Sequence, residues 1–210
     1  GSLASNLAKL LKDSPCTIRR LTSKAKLSPL QGEALFEDIQ GDIRQSSVWE
    51  QAMEEVDAVF HFAGQTSVYV ADADPVSDYQ ANVTPMVLML ETCKKYGRRP
   101  DILFAGTSTI VGLPEKLPVS ETFPDRPITI YDTHKWFAES YLKYYARMGF
   151  VRGTTLRLTN VYGPGPKSSS EDRGILNIMA NRALSGNNLT LYGNGEFIRD
   201  YIYVEDTLNA

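Results

Sequence analysis

The sequence is poor in the residues that build metal centres and disulfide frameworks. Its 210 residues include only two cysteines, Cys16 and Cys93, and two histidines, His61 and His134. Two cysteines are too few for a disulfide framework or a thiolate metal site, and two histidines exclude a multi-histidine metal centre. We therefore expect no bound metal.

Long apolar runs and blocks of like charge are also missing. No apolar run approaches the roughly 18 residues of a membrane span, and the 22 Lys and Arg residues are balanced by 25 Asp and Glu residues. Without a basic block, neither a nucleic-acid partner nor a membrane partner is expected. The composition, with 42% hydrophobic and 22% charged residues, is typical of a folded domain and predicts a soluble, cytoplasmic protein.

Both ends of the chain are predicted to lie inside secondary structure. Leu3, Leu7 and Leu10 recur at helical spacing, which indicates an amphipathic helix that starts within the first residues. The last ten residues combine a strand-like segment at 201–204 with the first turn of a helix at 205–210. We therefore expect the chain to be part of a larger domain.

Strand-like and helix-like segments alternate along the chain, a pattern typical of βαβ units with a parallel sheet. Right-handed crossovers then produce a doubly wound α/β fold of the Rossmann type. After the first helix, the candidates are strands at 16–21, 35–43, 58–63, 102–105 and 154–158 and helices at 46–55, 76–96 and 131–148. Ligands of such folds bind beyond the carboxyl ends of the strands, so the residues that follow each strand are candidate site residues.

The strongest local indication of chemistry is a tyrosine–lysine pair. Tyr131 and Lys135 stand four residues apart at the start of a predicted helix, so their side chains share one face. A nearby ammonium group favours phenolate and lowers the pKa of a tyrosine from about 10, which suits a general acid or base. Thr107 stands 24 residues before Tyr131 and follows a predicted strand. Its hydroxyl group would lie in the same cleft at the strand ends as the tyrosine.

Five segments, in order along the chain, resemble the motifs of one known family. The motifs are H-x-A-(A/G), x-x-N-V-x-G-T, S-S-(S/T)-x-x-V-Y-G, L-R-x-x-N-V-Y-G-P-G and G-(D/N)-G-x-x-x-R-D-(F/W)-x-(Y/H)-V-x-D. The matching segments are 60–68, 79–83, 105–112, 156–165 and 193–206. They are distributed over residues 60–206, and the chain thus resembles the extended short-chain dehydrogenase/reductases, the NAD(P)-dependent nucleotide-sugar epimerase/dehydratase family.

The resemblance implies a role for each of three residues. Tyr131 would be the acid or base at a sugar hydroxyl or keto oxygen during hydride transfer. Lys135 would lower the pKa of Tyr131 and bind the nicotinamide ribose, and Thr107 would hydrogen-bond the sugar oxygen. Many dehydratases of the family carry Asp-Glu directly after the threonine, where this chain has Ser108 and Thr109. Dehydration is therefore disfavoured, and epimerisation or keto reduction remains.

The resemblance also implies a dinucleotide site, although the family's first strand and most of its glycine-rich turn are missing. Gly1 matches the second glycine of that turn, unless the first residues are a cloning remnant. Asp42 and Ile43 resemble the pair that brackets adenine, and Ala63 and Gly64 would let the cofactor approach a strand end closely. Because the pyrophosphate would lose part of its backbone N–H cradle, we expect the 210-residue chain alone to bind the dinucleotide poorly and to be inactive.

The choice between NAD and NADP is predicted from the second strand of the family's fold, which corresponds to the predicted strand at 16–21 of this chain. Folds of this type that prefer NAD carry an acidic residue at the end of that strand for the ribose hydroxyl. Arg19 and Arg20 are predicted to stand there instead, and guanidinium groups suit a 2′-phosphate. The alternative is a pair of solvated basic residues. The sequence therefore favours NADP over NAD.

The C-terminal motifs imply a nucleotide-diphosphate sugar as substrate. Asn160 and Arg199 match positions that hold the diphosphate, and the planar fork of arginine suits that task. We accordingly expect a dinucleotide-binding domain over residues 1–158 and part of a nucleotide-sugar-binding region over 159–210. Asn82, in a predicted helix, has either a buried hydrogen-bonding role near the active site or a structural role between strands.

Two further functions stay open. Some extended relatives reduce non-sugar carbonyls, an alternative that Asn160 and Arg199 argue against. A non-catalytic binding protein or fragment could retain the fold alone, which the complete set of Thr107, Tyr131 and Lys135 argues against. Family members pair through two helices, so we also predict a homodimer formed by helices near 85–97 and 133–148, the second of which carries an aromatic stripe at helical spacing.

Overall fold

The computed structural model describes residues 1–24, 27–164, 175–190, 194–196 and 198–210. Its strands are β1 (Thr17–Thr22), β2 (Leu35–Gln40), β3 (Ala58–His61), β4 (Asp101–Thr107), β5 (Arg152–Leu158), β6 (Asn160–Tyr162) and β7 (Tyr201–Tyr203). Its helices are α1 (Ser2–Leu10), α2 (Ser46–Ala52), α3 (Val68–Ala73), α4 (Pro75–Asn82), α5 (Thr84–Tyr96), α6 (Ile130–Arg147), α7 (Ile175–Leu184) and α8 (Val204–Asn209), with a 3₁₀ turn over Ser108–Val111. Three residues of the sequence motifs, Gly165, Gly193 and Phe197, lie outside the described residues.

All strand pairs within the described residues are parallel, and they form three sheets. β1 pairs with β2, β6 pairs with β7, and β3, β4 and β5 form a central sheet with β4 in the middle. Thr107 at the end of β4 is aligned with Leu158 at the end of β5, so the carboxyl ends of these strands share one edge. The predicted α/β class with parallel strands is confirmed. The single sheet that was predicted is divided here into three hydrogen-bonded groups.

The core lies between the central sheet and the helices α5 and α6. Ile102 and Phe104 of β4 are almost fully buried against Met89 and Leu90 of α5 and Leu142 of α6. Fully burying a side chain of this size stabilises the fold by about 1.5–3 kcal/mol. This packing fixes α6 on the sheet and so determines where the start of α6 lies relative to the end of β4. None of the helices among the described residues is long and apolar enough to cross a membrane.

The predicted helix over 76–96 is two helices, so the prediction was wrong at this point. Pro85 stands in the first turn of α5, where its missing N–H group costs nothing, whereas inside a continuous helix it would remove a hydrogen bond. α4 begins at Pro75, with Asp74 accepting from the N–H of Ser77 at 3.0 Å as its cap. Asn82 is consequently the last residue of α4 rather than a residue in the middle of a helix.

β1 extends further than predicted, which corrects the position of the two arginines. Thr22 is still aligned with Gln40 of β2, and its carbonyl oxygen accepts from the N–H of Gly41 at 2.9 Å. Arg19 and Arg20 therefore lie in the middle of β1 and not at its carboxyl end. The parallel pairing with β2 continues past them, and this pairing sets the true end of the strand.

Candidate active site

Lys135 is held against the end of β4. Its Nζ donates a hydrogen bond of 2.5 Å to the main-chain oxygen of Ala105 and lies 4.1 Å from the centre of the Phe104 ring. The residue is only 6% exposed. Burial lowers the pKa of Lys135 to about 8, and the carboxylates of Asp78 and Glu139 act in the opposite direction. At neutral pH the buried side chain is therefore still mainly an ammonium group.

A chain of hydroxyl groups joins the same strand end to the first turn of α6. The hydroxyl of Thr109 donates to the carboxylate of Asp132, and it lies 2.8 Å from the hydroxyl of Thr107. Because Thr109 has a single hydroxyl proton, Thr107 is the donor between the two threonines. Thr107 also accepts from the N–H of Thr109 at 3.3 Å. Its only proton is therefore used within this chain of hydroxyl groups.

These contacts join Thr107 and Lys135 to the first turns of α6, the segment that contains Tyr131. Thr107 and Lys135 are buried, and Tyr131, immediately before Asp132, is half-buried. Thr129 caps α6 by accepting from the N–H of Asp132 at 3.1 Å, so the first turn of the helix is well defined. The roles of Thr107, Tyr131 and Lys135 stay predictions. Sequence reasoning missed Asp132, although an acidic residue in the first turn of a helix is a recognisable pattern.

The loop after β3 is exposed, and at Gly64 it has no room for a side chain. Ala63 and Gly64 are exposed, and a Cβ atom on Gly64 would lie 2.5 Å from Oδ1 of Asn82. That oxygen is buried without a hydrogen-bond partner, while Nδ2 of Asn82 donates to the main-chain oxygen of Gln65 at 3.1 Å. Asn82 thus joins α4 to this loop. The glycine-lined end of β3, beside the strand β4 that holds the buried Lys135, fits the nicotinamide half of a dinucleotide.

The residues predicted to contact the adenine and the pyrophosphate lie after the carboxyl end of β2 and directly before α1. Asp42 follows β2, and its carboxylate accepts from the guanidinium of Arg44 at 2.6 and 2.9 Å. Hydrogen bonds from Arg44 hold the pKa of Asp42 below its ordinary value. The main-chain oxygen of Ile43 accepts from Nε1 of Trp49 at 2.7 Å. Gly1 directly precedes α1, as a glycine of a phosphate-binding turn would.

Arg19 and Arg20 are each held by the acidic residue aligned with them on β2. Arg20 makes two parallel bonds to Asp38, Nε to Oδ1 at 2.7 Å and Nη2 to Oδ2 at 2.8 Å. Nε of Arg19 donates to Oε2 of Glu37 at 2.9 Å. A 2′-phosphate would have to displace these carboxylates before either guanidinium could bind it. The preference for NADP stays a prediction, and the ion pairs weigh against it.

The residues predicted for the diphosphate meet at the pairing of β6 with β7. Nδ2 of Asn160 donates to the main-chain oxygen of Asp200 at 2.9 Å, because Asn160 is aligned with Tyr201. Arg199 directly precedes Asp200, and its guanidinium donates to the main-chain oxygen of Ile198 at 3.0 Å. Asn160 and Arg199 are both exposed. Their diphosphate role stays a prediction.

Within the described ranges, no three His, Cys, Asp or Glu residues are grouped so that they could hold a metal ion. The polar groups at the ends of β3 and β4 are hydroxyl, amide, carbonyl and ammonium groups, together with the buried imidazole of His61. Apart from the buried carboxylates of Asp78 and Asp132, they are donors and acceptors suited to a neutral or phosphorylated organic ligand.

The parallel α/β fold, with a tyrosine–lysine helix packed on a strand end, defines a protein of the Rossmann type. The model of the NAD dependent epimerase/dehydratase family matches residues 1–210, and the chain belongs to this family. The family predicted from the five motifs is thereby confirmed.

Among curated relatives, the chain is similar to two epimerases. It is 30% identical over 175 residues to a putative UDP-glucose 4-epimerase of Methanocaldococcus jannaschii, which covers 83% of this chain and 57% of the relative. It is 30% identical over 154 residues to a UDP-glucose 4-epimerase of Mycolicibacterium smegmatis, covering 73% of this chain and 49% of the relative. The chain thus spans about half the length of these relatives.

Solved structures give the same result for the fold. The UDP-glucose 4-epimerase of Thermotoga maritima, solved with UDP-glucose, superposes with a TM-score of 0.88 at 29% identity, over 100% of this chain and 68% of that one. The UDP-glucose 4-epimerase of Thermus thermophilus, solved with NAD, gives a TM-score of 0.85 at 31% identity, over 100% of this chain and 70% of that one. The predicted Rossmann-type fold is confirmed.

Proposed function

We propose that the full-length protein is a nucleotide-sugar 4-epimerase that interconverts the C4 epimers of a UDP-hexose. One observation carries this proposal: two sets of hydrogen bonds, Lys135 to Ala105 and Thr107 through Thr109 to Asp132, join the end of β4 to the first turns of α6. This arrangement brings an ammonium group, a hydroxyl group and the Tyr131 segment to one strand end. The names of the similar proteins, UDP-glucose 4-epimerases, support the choice of substrate class.

Proton transfer is the task of this chain's own residues. Tyr131 would take the proton from the C4 hydroxyl oxygen through its phenol oxygen and return the proton to the same oxygen after C4 has been inverted. Thr107 would donate its hydroxyl proton to the C4 oxygen in place of Thr109, because the single proton of the C4 hydroxyl passes to Tyr131. The buried ammonium group of Lys135 would favour the phenolate form of Tyr131. When bound, the nicotinamide ring supplies the acceptor and donor of the C4 hydride.

The chain offers residues to hold the dinucleotide along the strand ends. Ala63, Gly64 and Lys135 would contact its nicotinamide half, Asp42 and Ile43 its adenine half, and Gly1 its pyrophosphate. We propose NAD as the cofactor, because the family is described as NAD dependent and because Glu37 and Asp38 already bind Arg19 and Arg20. An NADP-dependent 4-keto-sugar reductase would need those ion pairs to open.

Contacts at the β4 end support epimerisation over dehydration. Thr109 stands where many dehydratases carry a glutamate, and it is bonded to Thr107 and Asp132. No acidic side chain occupies the two positions after Thr107. Asn160 and Arg199 would bind the diphosphate, which favours a nucleotide sugar over a non-sugar carbonyl.

Domain division and assembly are further parts of the proposal. β5 ends at Leu158, which supports a dinucleotide-binding domain over 1–158 and a nucleotide-sugar-binding region that starts at 159. We propose a homodimer through helices near 85–97 and 133–148. Within this surface α6 exposes Tyr141, Tyr144 and Met148. The cytoplasmic location predicted from the composition stays a prediction.

An isomerisation assay on the full-length protein tests the proposed function. We expect UDP-glucose to be converted into UDP-galactose without net consumption of NADH or NADPH, as followed by proton NMR of the anomeric signals. UDP-N-acetylglucosamine and UDP-glucuronic acid, supplied in parallel, define the preferred sugar. Stoichiometric oxidation of NADPH with a 4-keto sugar would instead identify a reductase. No turnover with any of these compounds would identify a non-catalytic protein.

A further inference from the structure

A buried hydrogen-bond network lies behind the tyrosine–lysine helix. Nδ1 of His134 lies 2.7 Å from Oδ2 of Asp78. The other oxygen of Asp78 accepts from Nδ2 of Asn82 at 3.0 Å and from Nε2 of Gln65 at 2.8 Å. Asp78 is 1% exposed and His134 is 8% exposed. We refer to these four residues as the Asp78 network.

Three separate segments supply the donors of this network. A buried carboxylate is strongly destabilising unless it is paired and hydrogen-bonded, and Asp78 meets that need with donors from the loop after β3, from α4 and from α6. A carboxylate oxygen can only accept, so the Nδ1 atom of His134 carries the proton. The donors from Gln65 and His134 therefore join the loop after β3 and α6 to α4, whereas the bond from Asn82 lies within α4 itself.

His134 connects this network to the candidate active site. It lies three residues after Tyr131 and immediately before Lys135, on the side of α6 that faces α4. A bond from His134 to Asp78 fixes the rotation of α6 about its axis, and thereby the directions of its neighbours. At the other end of the network, Gln65 belongs to the loop where Gly64 lines the strand end.

We infer that His134 and Asp78 are positioning residues, whose hydrogen bond holds the Tyr131 and Lys135 side chains at a fixed distance from the strand end of β3. The consequence for turnover rests on the proposed function. The geometric claim does not, because it concerns only where α6 lies and what surrounds Lys135.

The charge of Asp78 provides a second connection to Lys135. Burial lowers the pKa of Lys135, and Asp78 partly reverses this effect. The other titratable group that acts on the pKa of Lys135 is Glu139, one turn later on α6. The carboxylate of Glu139 is held by Arg157 and Lys143. Lys135 in turn acts on His61 of β3, whose pKa is lowered to about 3 mainly by burial.

The first test compares three variants of the full-length enzyme. His134→Leu removes the donor, His134→Asn keeps a donor near the position of Nδ1, and Tyr145→Phe is the control, because it removes a hydrogen bond between α6 and Glu91 of α5 outside the network. Misplacement of a reacting group by about 1 Å can cost on the order of a hundredfold in rate. We expect His134→Leu to lower kcat by about tenfold to a hundredfold with KM for the UDP-sugar nearly unchanged. His134→Asn should recover most of kcat, and Tyr145→Phe should keep it.

The second test needs no activity. The ammonium group of Lys135 is titrated by NMR through its Cε–Hε resonance, assigned with Lys135→Met. We expect His134→Leu to change the pKa of Lys135. His134→Asn and Tyr145→Phe should leave this pKa unchanged. If His134→Leu fails to fold, Asp78→Asn replaces it, and the loss of the negative charge should lower the pKa of Lys135.

The outcomes separate the inference from the proposed function. A wild-type protein that is inactive on all UDP-sugars, but whose Lys135 titration moves only in His134→Leu, contradicts the function and supports the inference. Wild-type kcat and an unmoved titration in His134→Leu overturn the inference. Equal losses in His134→Asn and His134→Leu also overturn it, since the retained donor would then have no effect. If Asp78→Asn is used in place of His134→Leu, an unchanged pKa of Lys135 in that variant overturns the inference.

Discussion

Nζ of Lys135 lies 2.5 Å from the main-chain oxygen of Ala105, so the lysine of the tyrosine–lysine pair is bonded to β4 and shielded from solvent. Burying an ammonium group is unfavourable, and the pKa of Lys135 falls to about 8 as a result. This destabilising group lies at the strand end where Thr107 also lies. Functional sites commonly contain groups that lower the stability of the fold in this way.

Lys135→Met should therefore stabilise the folded chain at pH 7. The pKa of Lys135 is about 8 in the folded protein and 10.5 ordinarily, so the fold disfavours the charged form fully below pH 8. Between pH 8 and 10.5 the unfolded chain binds more protons than the folded protein, and the stability of the wild type rises with pH. We expect the difference in Tm between Lys135→Met and the wild type to be largest at pH 7 and to shrink towards pH 10.

Thermal unfolding of both proteins across this pH range measures the effect. Lys94→Met, which removes an exposed lysine from α5, should change stability by less than about 0.5 kcal/mol at any pH. A Tm of Lys135→Met below that of the wild type at pH 7 would show that the contacts with Ala105 and Phe104 outweigh the burial of the charge.

Thr107 and Tyr131 should act on one substrate oxygen. Hydrogen-bond reach to a shared atom implies that Oγ1 of Thr107 and the phenol oxygen of Tyr131 lie on the order of 3–6 Å apart. A crystal structure of the full-length protein with NAD and a UDP-sugar measures this distance directly. Placement of the two side chains on opposite faces of the central sheet would rule out the shared role.

Cofactor choice should follow the ion pairs of β1. Because Asp38 binds Arg20 through two bonds, we expect calorimetry on the full-length protein to find NAD bound at least as tightly as NADP. Asp38→Asn should release Arg20 and improve NADP binding relative to NAD by about tenfold, since a hydrogen bond to a charged group contributes about 1.5–3 kcal/mol. Tighter NADP binding by the wild type, lost selectively in Arg20→Ala, would restore the preference predicted from the sequence.

The full-length protein should be a dimer in solution. Tyr144 is 48% exposed on α6, and Tyr141 and Met148 extend the same apolar surface. We expect light scattering at micromolar concentration to give the mass of two chains, and Tyr144→Glu to shift the protein towards a monomer. A monomeric wild type under these conditions would refute the proposed pairing of the two helices.

The sequence predicted those parts of the fold that depend on local patterns. The β4 strand and the α6 helix follow from period and length, and the spacing of Tyr131 and Lys135 placed both side chains on one helical face. The break before α5 was also predictable in principle, because Pro85 cannot sit inside a helix without the loss of a hydrogen bond. Short elements such as α3 and β6, with six and three residues, carry too little periodicity to be seen.

Long-range partners could not be predicted from the same patterns. Asp78 and His134 are 56 residues apart, and neither stands in a motif that names the other. Arg19 and Arg20 look available when only their own segment is considered, yet Glu37 and Asp38 become their partners through the register of β1 with β2. Such contacts depend on tertiary packing, which the spacing within one segment does not encode.

The turnover of Tyr131→Phe in the full-length protein tests the central claim most directly. The variant lacks the phenol oxygen that would carry the proton to and from C4–OH, and we expect kcat for UDP-glucose epimerisation to fall by roughly 10²–10⁴. Calorimetry should find UDP-glucose bound nearly as tightly as by the wild type. Epimerisation at the wild-type rate by Tyr131→Phe would contradict the account, because the proton would then move through another group.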